Sequence, residues 1–284
     1  MMKYINRLLS RAFGLRLVRE YQVPPINSYE YKNDYDVGEY TISLAPLAEH
    51  EKLGYGSNPK RFIVKCAGEK VADELVLYSQ ATLIELLYTY DFDSVLDIGA
   101  HKGHVSRIFQ GLQKKVFSID TGMEYPVDYC GDYLSYSFDR KFDAIWCSQV
   151  LEHQRDIGLF LRKIYSDLED NGICAITVPW DGHANLTFGH INKFTPLNLI
   201  YHLVCSGFDC SNAALCVFDK NIGIIARKNN KVDYQVTSYA SLPSFMNEAE
   251  ISEQISDIDS RFPFPVKENQ VLMNQKYLKI NWLS

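Results

Sequence analysis

Short apolar runs alternate with amphipathic stretches along the middle of the chain. The runs have the length and composition of buried strands and lie at 94–99, 115–120, 142–148 and 173–179. Apolar residues over 155–170 recur every three or four positions, as on one face of a helix, and Asn171-Gly172 predicts where that helix ends. Strands that alternate with helices predict βαβ units and a doubly wound, mainly parallel α/β sheet.

The pattern predicts further elements on both sides of this region. Apolar positions at helical spacing predict a helix over 71–90. Strand-like runs precede that helix at 40–45 and 61–67. Farther along, Thr195-Pro196 predicts a helix start, because threonine caps helices and proline is tolerated in the first turn. Two apolar runs at 213–218 and 222–227 then predict a closing hairpin, which adds an antiparallel strand.

The two ends of the chain differ in composition from this middle region. Residues 1–19 contain no acid and carry Lys3, Arg7, Arg11, Arg16 and Arg19. With apolar residues at helical spacing, this basic amphipathic segment binds an anionic membrane surface, docks on the protein's own core or forms an oligomer contact. We therefore divide the chain into an N-terminal extension at 1–70 (Tyr-rich over 20–70), a domain at 71–228 and a polar, then aromatic-rich tail at 229–284.

The overall composition argues against several classes of protein. The 284 residues carry a formal net charge of -6 and a pI of about 5.7, which argues against a protein whose main task is to hold nucleic acid. No apolar run reaches the roughly 18 residues that span a bilayer, and no signal peptide is visible, so we expect a cytoplasmic protein. The seven cysteines lack Cys-x-x-Cys spacing, which predicts reduced thiols and no zinc site.

The loop after the first predicted strand, "VLDIGAHKG" (95–103), predicts a ligand site. Gly99 and Gly103 allow the backbone to approach a ligand closely, and such a loop lies at the ligand crevice of a doubly wound sheet. A dinucleotide loop has the spacing G-x-G-x-x-G, which this loop lacks. Asp97 at the strand end favours a cationic ligand over a pyrophosphate. These features indicate S-adenosylmethionine (SAM), which carries an ammonium and a sulfonium group.

Two more acids near predicted strand ends suit the same ligand. Asp120 ends the second strand, where its carboxylate can accept hydrogen bonds from both ribose hydroxyls. Asp132, in "CGDYL", can accept from the adenine amino group, although an ordinary role in a turn is the alternative. The sequence therefore predicts carboxylates along one edge of the sheet.

Six motifs in this order resemble those of class I SAM-dependent methyltransferases, especially the group with "VLEH" after the fourth strand. They are "VLDIGAHKG", "VFSID", "CGDYL", "FDAIWCSQVLEH", "LEDNGICAITVP" and "GHINKFTPLNLIYHLVCSGF", and the resemblance covers about residues 71–228. It implies a seven-stranded, Rossmann-like methyltransferase fold with a reversed final hairpin. It also implies SAM as the cofactor and methyl transfer as the reaction.

The resemblance also implies roles for the matching residues. The implied SAM site contains Asp97, Gly99 and Gly103 around the methionine part, Asp120 at the ribose, Asp132 and the Tyr133 backbone at the adenine, and Cys147 and Ser148 at the methionine amine. Cys147 is also a candidate core residue that contributes only its carbonyl group. His101 stands where the family has glycine, and we interpret it as a backbone choice, because histidine tolerates left-handed conformations better than most residues.

Three residues are candidates for the chemistry at the acceptor. A hydroxyl acceptor loses its proton as the C–O bond forms, so a base accelerates the reaction, although proximity alone also contributes. His190 is the first candidate base and His153 the second, with Glu152 orienting a histidine or binding substrate. The alternative for Glu152-His153 is a plain helix N-terminal signature. This stretch resembles ubiquinone-pathway O-methyltransferases, which carry a metal-linked acid at the position of Gln149. The glutamine here weakens any metal assignment, and we predict no metal.

The acceptor itself is not identified by a motif. The basic start resembles the N-terminus of bacterial methyltransferases encoded with cell-surface polysaccharide enzymes. We therefore expect O-methylation of a small molecule or a glycan, as in polysaccharide biosynthesis, with no nucleic-acid partner and with peripheral membrane contact through residues 1–19. Two alternatives stay open: methylation of a macromolecule such as RNA or protein, and a non-catalytic partner protein with the SAM fold.

Overall fold

The computed structural model describes five stretches of the chain and two short pieces beyond them. These are residues 33–47, 60–122, 126–180, 187–218 and 221–228, with the backbone of 266–267 and 270–271. The predicted amphipathic segment 1–19 lies outside the described residues. So does a stretch of the tail with the pattern of a surface helix, 247–258. The two predicted helices stay predictions.

A four-stranded antiparallel sheet precedes the predicted domain. Its strands, in spatial order, are β1 (Asp34–Val37), β2 (Tyr40–Pro46), β3 (Lys60–Cys66) and β4 (Glu69–Val76). Strands β2 and β3 confirm the two strand-like runs. The first half of the helix predicted over 71–90 is wrong, because these residues pair with β3 through a two-residue turn at Ala67 and Gly68. Both turn residues have positive φ (50° and 86°), as a tight hairpin turn of the primed type requires.

A seven-stranded sheet forms the centre of the molecule. Its strands along the chain are β5 (Ser94–Ile98), β6 (Lys115–Asp120), β7 (Tyr129–Cys130), β8 (Phe142–Ser148), β9 (Leu168–Pro179), β10 (Phe208–Phe218) and β11 (Asn221–Lys228). The spatial order is β10-β11-β9-β8-β5-β6-β7. Strands β5 to β9 are parallel, and β11 is antiparallel to both of its neighbours. The doubly wound sheet with a reversed final hairpin is thereby confirmed. A short hairpin of β12 (Val266–Lys267) and β13 (Gln270–Val271) lies in the tail region.

Within the described residues, four α-helices connect the strands. They are α1 (Gln80–Thr89), α2 (His104–Gly111), α3 (Ile157–Asp167) and α4 (Pro196–Cys205). Thr195 caps α4 as predicted, because its hydroxyl accepts a hydrogen bond from the Asn198 backbone N–H at 3.2 Å in a capping box. Helix α3 ends earlier than predicted, because Leu168 already pairs with Phe142 of β8. Asn171 does have the predicted left-handed backbone, but within β9.

The antiparallel sheet and the central sheet share one hydrophobic core. Phe62 and Val64 of β3 belong to the same buried cluster as Leu83 and Leu86 of α1 and Trp146 of β8. All seven cysteines are free, which confirms the predicted thiols. Among the described helices, none combines the length and hydropathy of a membrane span.

An ionic contact joins the antiparallel sheet to the start of α2. The Glu74 carboxylate of β4 accepts hydrogen bonds from Arg107 Nη2 at 2.8 Å and contacts His104 Nδ1 at 2.7 Å. Burial raises the pKa of Glu74, but the hydrogen bonds from Arg107 and His104 outweigh it and hold that pKa below its usual value. Arg107 also donates to the Lys102 carbonyl at 2.8 Å. The antiparallel sheet therefore supports the glycine loop that precedes α2.

Candidate functional site

The strand order reverses between β5 and β8. Strands β6 and β7 extend the sheet on one side of β5, whereas β8 and β9 extend it on the other. In doubly wound sheets, ligands bind at such a switch point beyond the carboxyl ends of the strands. The predicted site residues follow β5, β6, β8 and β9, so the fold gathers them along one edge of the sheet.

The glycine loop after β5 has the backbone that its sequence predicts. Gly99, His101 and Gly103 all have positive φ, at 76°, 48° and 71°. This confirms the interpretation of His101 as a residue in left-handed conformation. The Gly99 N–H donates to the Ile119 carbonyl at 2.9 Å, which fixes the loop against β6. A Cβ added at Gly99 would collide with Val150 Cγ2, so the segment after β8 contacts the loop directly.

Asp97 is a buried carboxylate at the end of β5. It is 2% exposed and accepts a hydrogen bond from Ser106 Oγ at 2.6 Å. Burial, with a smaller contribution from the negative charge of Asp120, raises its pKa to about 7. An ionised carboxylate in such surroundings is stabilised by a nearby positive charge. The strand end therefore suits a cationic ligand, as predicted for the ammonium and sulfonium of SAM.

Asp120 at the end of β6 ties its own strand to the glycine loop. Its carboxylate accepts hydrogen bonds from the His101 N–H at 2.8 Å and from the Gly122 N–H at 2.6 Å. Each carboxylate oxygen has a further lone pair, so these contacts leave room for the predicted ribose hydroxyls. The structure thus gives Asp120 a loop-supporting role that the sequence did not predict.

Asp132 and Tyr133 follow β7 in a short 3₁₀ helix (Tyr133–Ser135). Asp132 caps this helix by accepting from the Leu134 N–H at 3.1 Å, which is the turn role held as the alternative. The Tyr133 side chain is buried, and its hydroxyl donates to Asp167 at 2.6 Å. Contact of either residue with the adenine stays a prediction.

Cys147 and Ser148 end β8 beside the switch point. Cys147 is fully buried, and burial raises the pKa of its thiol well above the usual value, so this side chain is a core residue. The Ser148 hydroxyl is hydrogen-bonded to the Thr177 hydroxyl of β9 at 2.7 Å. A contact between the backbone groups at the end of β8 and the methionine amine stays a prediction.

Glu152, His153 and His190 meet in one cluster, called here the acceptor cluster. Glu152 and His153 lie in a 3₁₀ helix (Leu151–His153) after β8, and His190 lies in the loop after β9. The two imidazole rings contact each other edge to face, with centroids 4.9 Å apart. One donor atom from each of the three side chains lies within 4.8 Å of the others. The three candidate catalytic residues are therefore neighbours.

Glu152 is the unusual member of the acceptor cluster. It is 1% exposed, and neither carboxylate oxygen has a hydrogen-bond partner among the residues that the structure describes. Its Oε1 lies 3.9 Å from His153 Nε2. Burial raises the pKa of Glu152 to about 7. A carboxylate that is buried without partners is costly, which is typical of functional sites.

Asn192 holds the two halves of the acceptor cluster together. Its backbone N–H donates to the Glu152 carbonyl at 3.1 Å, and its side-chain amide donates to the Gln154 carbonyl at 2.6 Å. The His153 Nδ1 is hydrogen-bonded to the Gly189 carbonyl at 2.9 Å. These contacts seat the β9 loop on the segment after β8. The sequence carried no signal for them beyond an asparagine close to a candidate histidine.

Other aromatic and polar residues of the β9 loop were candidates for an acceptor pocket. Phe188 is fully exposed at the loop surface, and Trp180 is half-buried at its start. His183 and Asn185 lie outside the described residues. A lining role for these four residues stays a prediction.

A separate cavity of about 250 Å³ lies at the opposite edge of the sheet. It is lined by Asp91, Asp93, Asp143, Glu169 and Arg227, among others, at the amino ends of the parallel strands. Ligands of doubly wound sheets bind beyond the carboxyl ends. This acidic cavity is therefore on the wrong side of the sheet for the predicted cofactor.

A doubly wound sheet with a left-handed glycine loop at its switch point is typical of Rossmann-like α/β proteins that bind a cofactor there. A family model described as a methyltransferase domain matches residues 59–231, and the chain belongs to this family. It is a methyltransferase. The match also includes β3 and β4 of the antiparallel sheet. No curated protein sequence matches the chain significantly.

Solved methyltransferase structures resemble the fold. The 1,6-didemethyltoxoflavin-N1-methyltransferase of Burkholderia thailandensis is 16% identical, with a TM-score of 0.47 over 70% of this chain and 100% of that one. Phosphoethanolamine N-methyltransferase 2 of Haemonchus contortus is 16% identical, with a TM-score of 0.45 over 53% and 52%. A SAM-dependent methyltransferase of Clostridium acetobutylicum is 12% identical, with a TM-score of 0.44 over 54% and 91%. At these identities the likeness concerns the fold and assigns no substrate.

Proposed function

We propose that the protein transfers the methyl group of SAM to a hydroxyl group of a small-molecule or glycan acceptor held at the acceptor cluster. The observation that carries this proposal is the meeting of Glu152, His153 and His190 beside the glycine loop. Val150, two residues before Glu152, contacts Gly99 of the loop. Groups able to act on a hydroxyl therefore lie next to the predicted cofactor site.

The residues along the switch point fit SAM in charge and shape. Gly99 and Gly103 give the loop its left-handed backbone, and Asp97 supplies a buried negative charge. We assign the ribose hydroxyls to Asp120, whose oxygens keep spare lone pairs. When bound, SAM supplies a methyl group on a sulfonium, whose sulfur leaves as a neutral thioether. Asp132 with the Tyr133 backbone, and the backbone at Cys147 and Ser148, are our assignments for the adenine and the methionine amine.

The acceptor cluster prepares the acceptor oxygen for attack. The oxygen forms the new O–C bond, the electron pair of the broken C–S bond returns to sulfur, and an imidazole takes the hydroxyl proton. We assign His190 as the first candidate for this base and His153 as the second. His153 Nδ1 is already hydrogen-bonded to the Gly189 carbonyl, which leaves Nε2 as its acceptor atom.

Replacement of the first-ranked histidine tests the proposal. His190→Ala should lower turnover by about 10²–10⁴-fold, because a general base acts on the transition state. SAM affinity, measured by calorimetry on the same preparation, should change little. Full turnover in the variant would contradict the role of His190 and move it to His153. Loss of SAM binding instead would make His190 a cofactor residue.

We also propose peripheral membrane contact through residues 1–19 of an otherwise cytoplasmic protein. Each of the five basic residues contributes about 1 kcal/mol near an anionic surface. The full chain should sediment with vesicles that contain anionic lipid and stay in solution with neutral vesicles. A variant that lacks residues 1–19 should lose this difference. Equal sedimentation of both proteins would rule the segment out as a membrane contact.

A further inference from the structure

The acceptor cluster has the donor set of a metal site. It contains two imidazoles and one carboxylate, each of which offers one ligand atom within 4.8 Å of the others. Two histidines and a glutamate are one of the ligand sets that catalytic zinc sites use, with a fourth position left open. Mg²⁺ and Ca²⁺ prefer oxygen ligands instead, so this set favours a late first-row cation.

The orientation of His153 matches that of a metal ligand. Its Nδ1–H donates to the Gly189 carbonyl at 2.9 Å, which leaves Nε2 as the nitrogen with a free lone pair, and Nε2 lies 3.9 Å from Glu152 Oε1. Histidine ligands usually donate their other ring N–H to a carbonyl or carboxylate in this way. The gap between Nε2 and Oε1 is longer than a hydrogen bond, and it would have to shorten to about 3.3 Å for the two atoms to share one tetrahedral cation.

Glu152 supplies a second, independent observation. It is 1% exposed, and both oxygens lack a hydrogen-bond partner among the described residues. The fold therefore places a carboxylate where it pays a desolvation penalty with no compensating bond. Asn192 holds the Glu152 and His190 segments together through the Glu152 and Gln154 carbonyls, so the arrangement is built rather than incidental. A cation between the three side chains would satisfy the carboxylate.

We propose that Glu152, His153 and His190 bind one divalent cation of the Zn²⁺ type. Binding of the cation requires only these three side chains. Its catalytic consequence rests on the proposed function: an acceptor hydroxyl that binds the cation becomes more acidic. Because both imidazoles would then be ligands, the cation would replace the imidazole base of the proposed function: the proton would leave to water, and the oxygen would attack the methyl carbon as before.

The test uses tag-free, full-length protein that has been freed of metals with a chelator. Titration with Co²⁺, followed by its visible absorption bands, and with Zn²⁺, followed by calorimetry, should show one site per chain. Glu152→Gln and His153→Gln should each weaken binding more than about 100-fold, because each removes a direct ligand. Zn²⁺ should raise the melting temperature of the wild type and leave that of Glu152→Gln unchanged.

His104→Gln is the matched control. His104 also contacts a carboxylate, Glu74, at 2.7 Å, but Arg107 already pairs with that carboxylate. Its replacement should leave Co²⁺ binding unchanged. Folding of Glu152→Gln is not at risk, because the change removes an unpaired buried charge.

Two results would overturn the metal site: no binding at micromolar Zn²⁺, or binding of equal strength in Glu152→Gln and His153→Gln. If methyl transfer to a hydroxyl persists in chelator-treated protein that binds no Zn²⁺, the metal site fails while the proposed function stands. If Zn²⁺ binds as described but the methyl group goes to nitrogen, the proposed function fails while the site stands.

Discussion

At the scale of single residues, two buried carboxylates distinguish the site from the rest of the fold. Asp97 and Glu152 are 2% and 1% exposed, and burial raises the pKa of each to about 7. Neither forms an ion pair with Lys or Arg among the described residues, unlike Glu74 beside Arg107. Both charges therefore destabilise the protein without ligands, which is expected where a site awaits a positive charge.

Asp97→Asn should stabilise the protein at high pH. Because the pKa of Asp97 is raised in the folded protein, Asp97 loses its proton at lower pH in the unfolded chain than in the folded one. This residue therefore lowers the free energy of unfolding progressively as pH rises from about 4 through 7. At pH 8 the variant should gain about 2–4 kcal/mol in urea unfolding, and at pH 4 it should match the wild type. SAM affinity should fall. A variant that is less stable than the wild type at pH 8 would contradict this account of Asp97.

Asp120→Ala should lower SAM affinity at least tenfold with the fold intact. The change removes the two charge-assisted hydrogen bonds that we assign to the ribose, each worth about 1.5–3 kcal/mol at most, and also the support that the carboxylate gives to the His101 and Gly122 N–H groups of the loops. Calorimetric titration with SAM measures the loss. Asp128→Ala is the control, because Asp128 also accepts a backbone N–H of β6, from Ser118 at 2.8 Å, away from the switch point. Unchanged affinity in Asp120→Ala, or tight binding of NAD to the wild type, would refute the assignment.

At the scale of elements, the antiparallel sheet and the cofactor loop are coupled through α2. Glu74 of β4 pairs with Arg107, and Arg107 donates to the Lys102 carbonyl in the loop. The sheet therefore does more than cover the domain, since it fixes the residues that precede the first turn of α2. A loop with three left-handed residues benefits from such external support.

Glu74→Gln should cost about 1–3 kcal/mol of unfolding free energy near pH 7, because it breaks a half-buried, charge-assisted contact. Thermal or urea unfolding measures the change. The difference from the wild type should shrink as pH falls through the lowered pKa of Glu74, because protonation ends the pairing. Glu69→Gln, an exposed change in the same strand, should stay within about 0.5 kcal/mol. A loss in Glu74→Gln that does not shrink at all as pH falls would contradict the ionic role.

Element periodicity predicted the central sheet well and the start of the domain poorly. Strands β5, β6 and β8 match the predicted runs to within a residue, because buried parallel strands are short and apolar on both faces. Residues 71–76 were predicted as helix, because the apolar positions that continue into α1 start there at helical spacing. Pairing with β3 overrides this pattern, and the turn at Ala67-Gly68 lacks the Asn-Gly signal of a hairpin.

At the scale of the whole molecule, the fold brings together residues that lie far apart in the sequence. Glu152 and His153 were predicted as candidates from their place after a strand, and His190 from its place in a loop. Their mutual contact depends on Asn192 and on the pairing of β8 with β9, neither of which periodicity reveals. The sequence therefore predicts the edge of the sheet that carries the chemistry, but not the cluster or its buried, unpartnered carboxylate.

The central claim is that the methyl group of SAM moves to an acceptor hydroxyl beside the acceptor cluster. The most direct measurement is transfer of label from methyl-labelled SAM to a panel of nucleotide sugars, lipid-linked glycans and quinols, with mass spectrometry to locate the methyl group. We predict an O-methyl product with the wild type and a rate lower by about 10²–10⁴-fold with His190→Ala. A methyl group on nitrogen, or equal rates for the two proteins, would contradict the account.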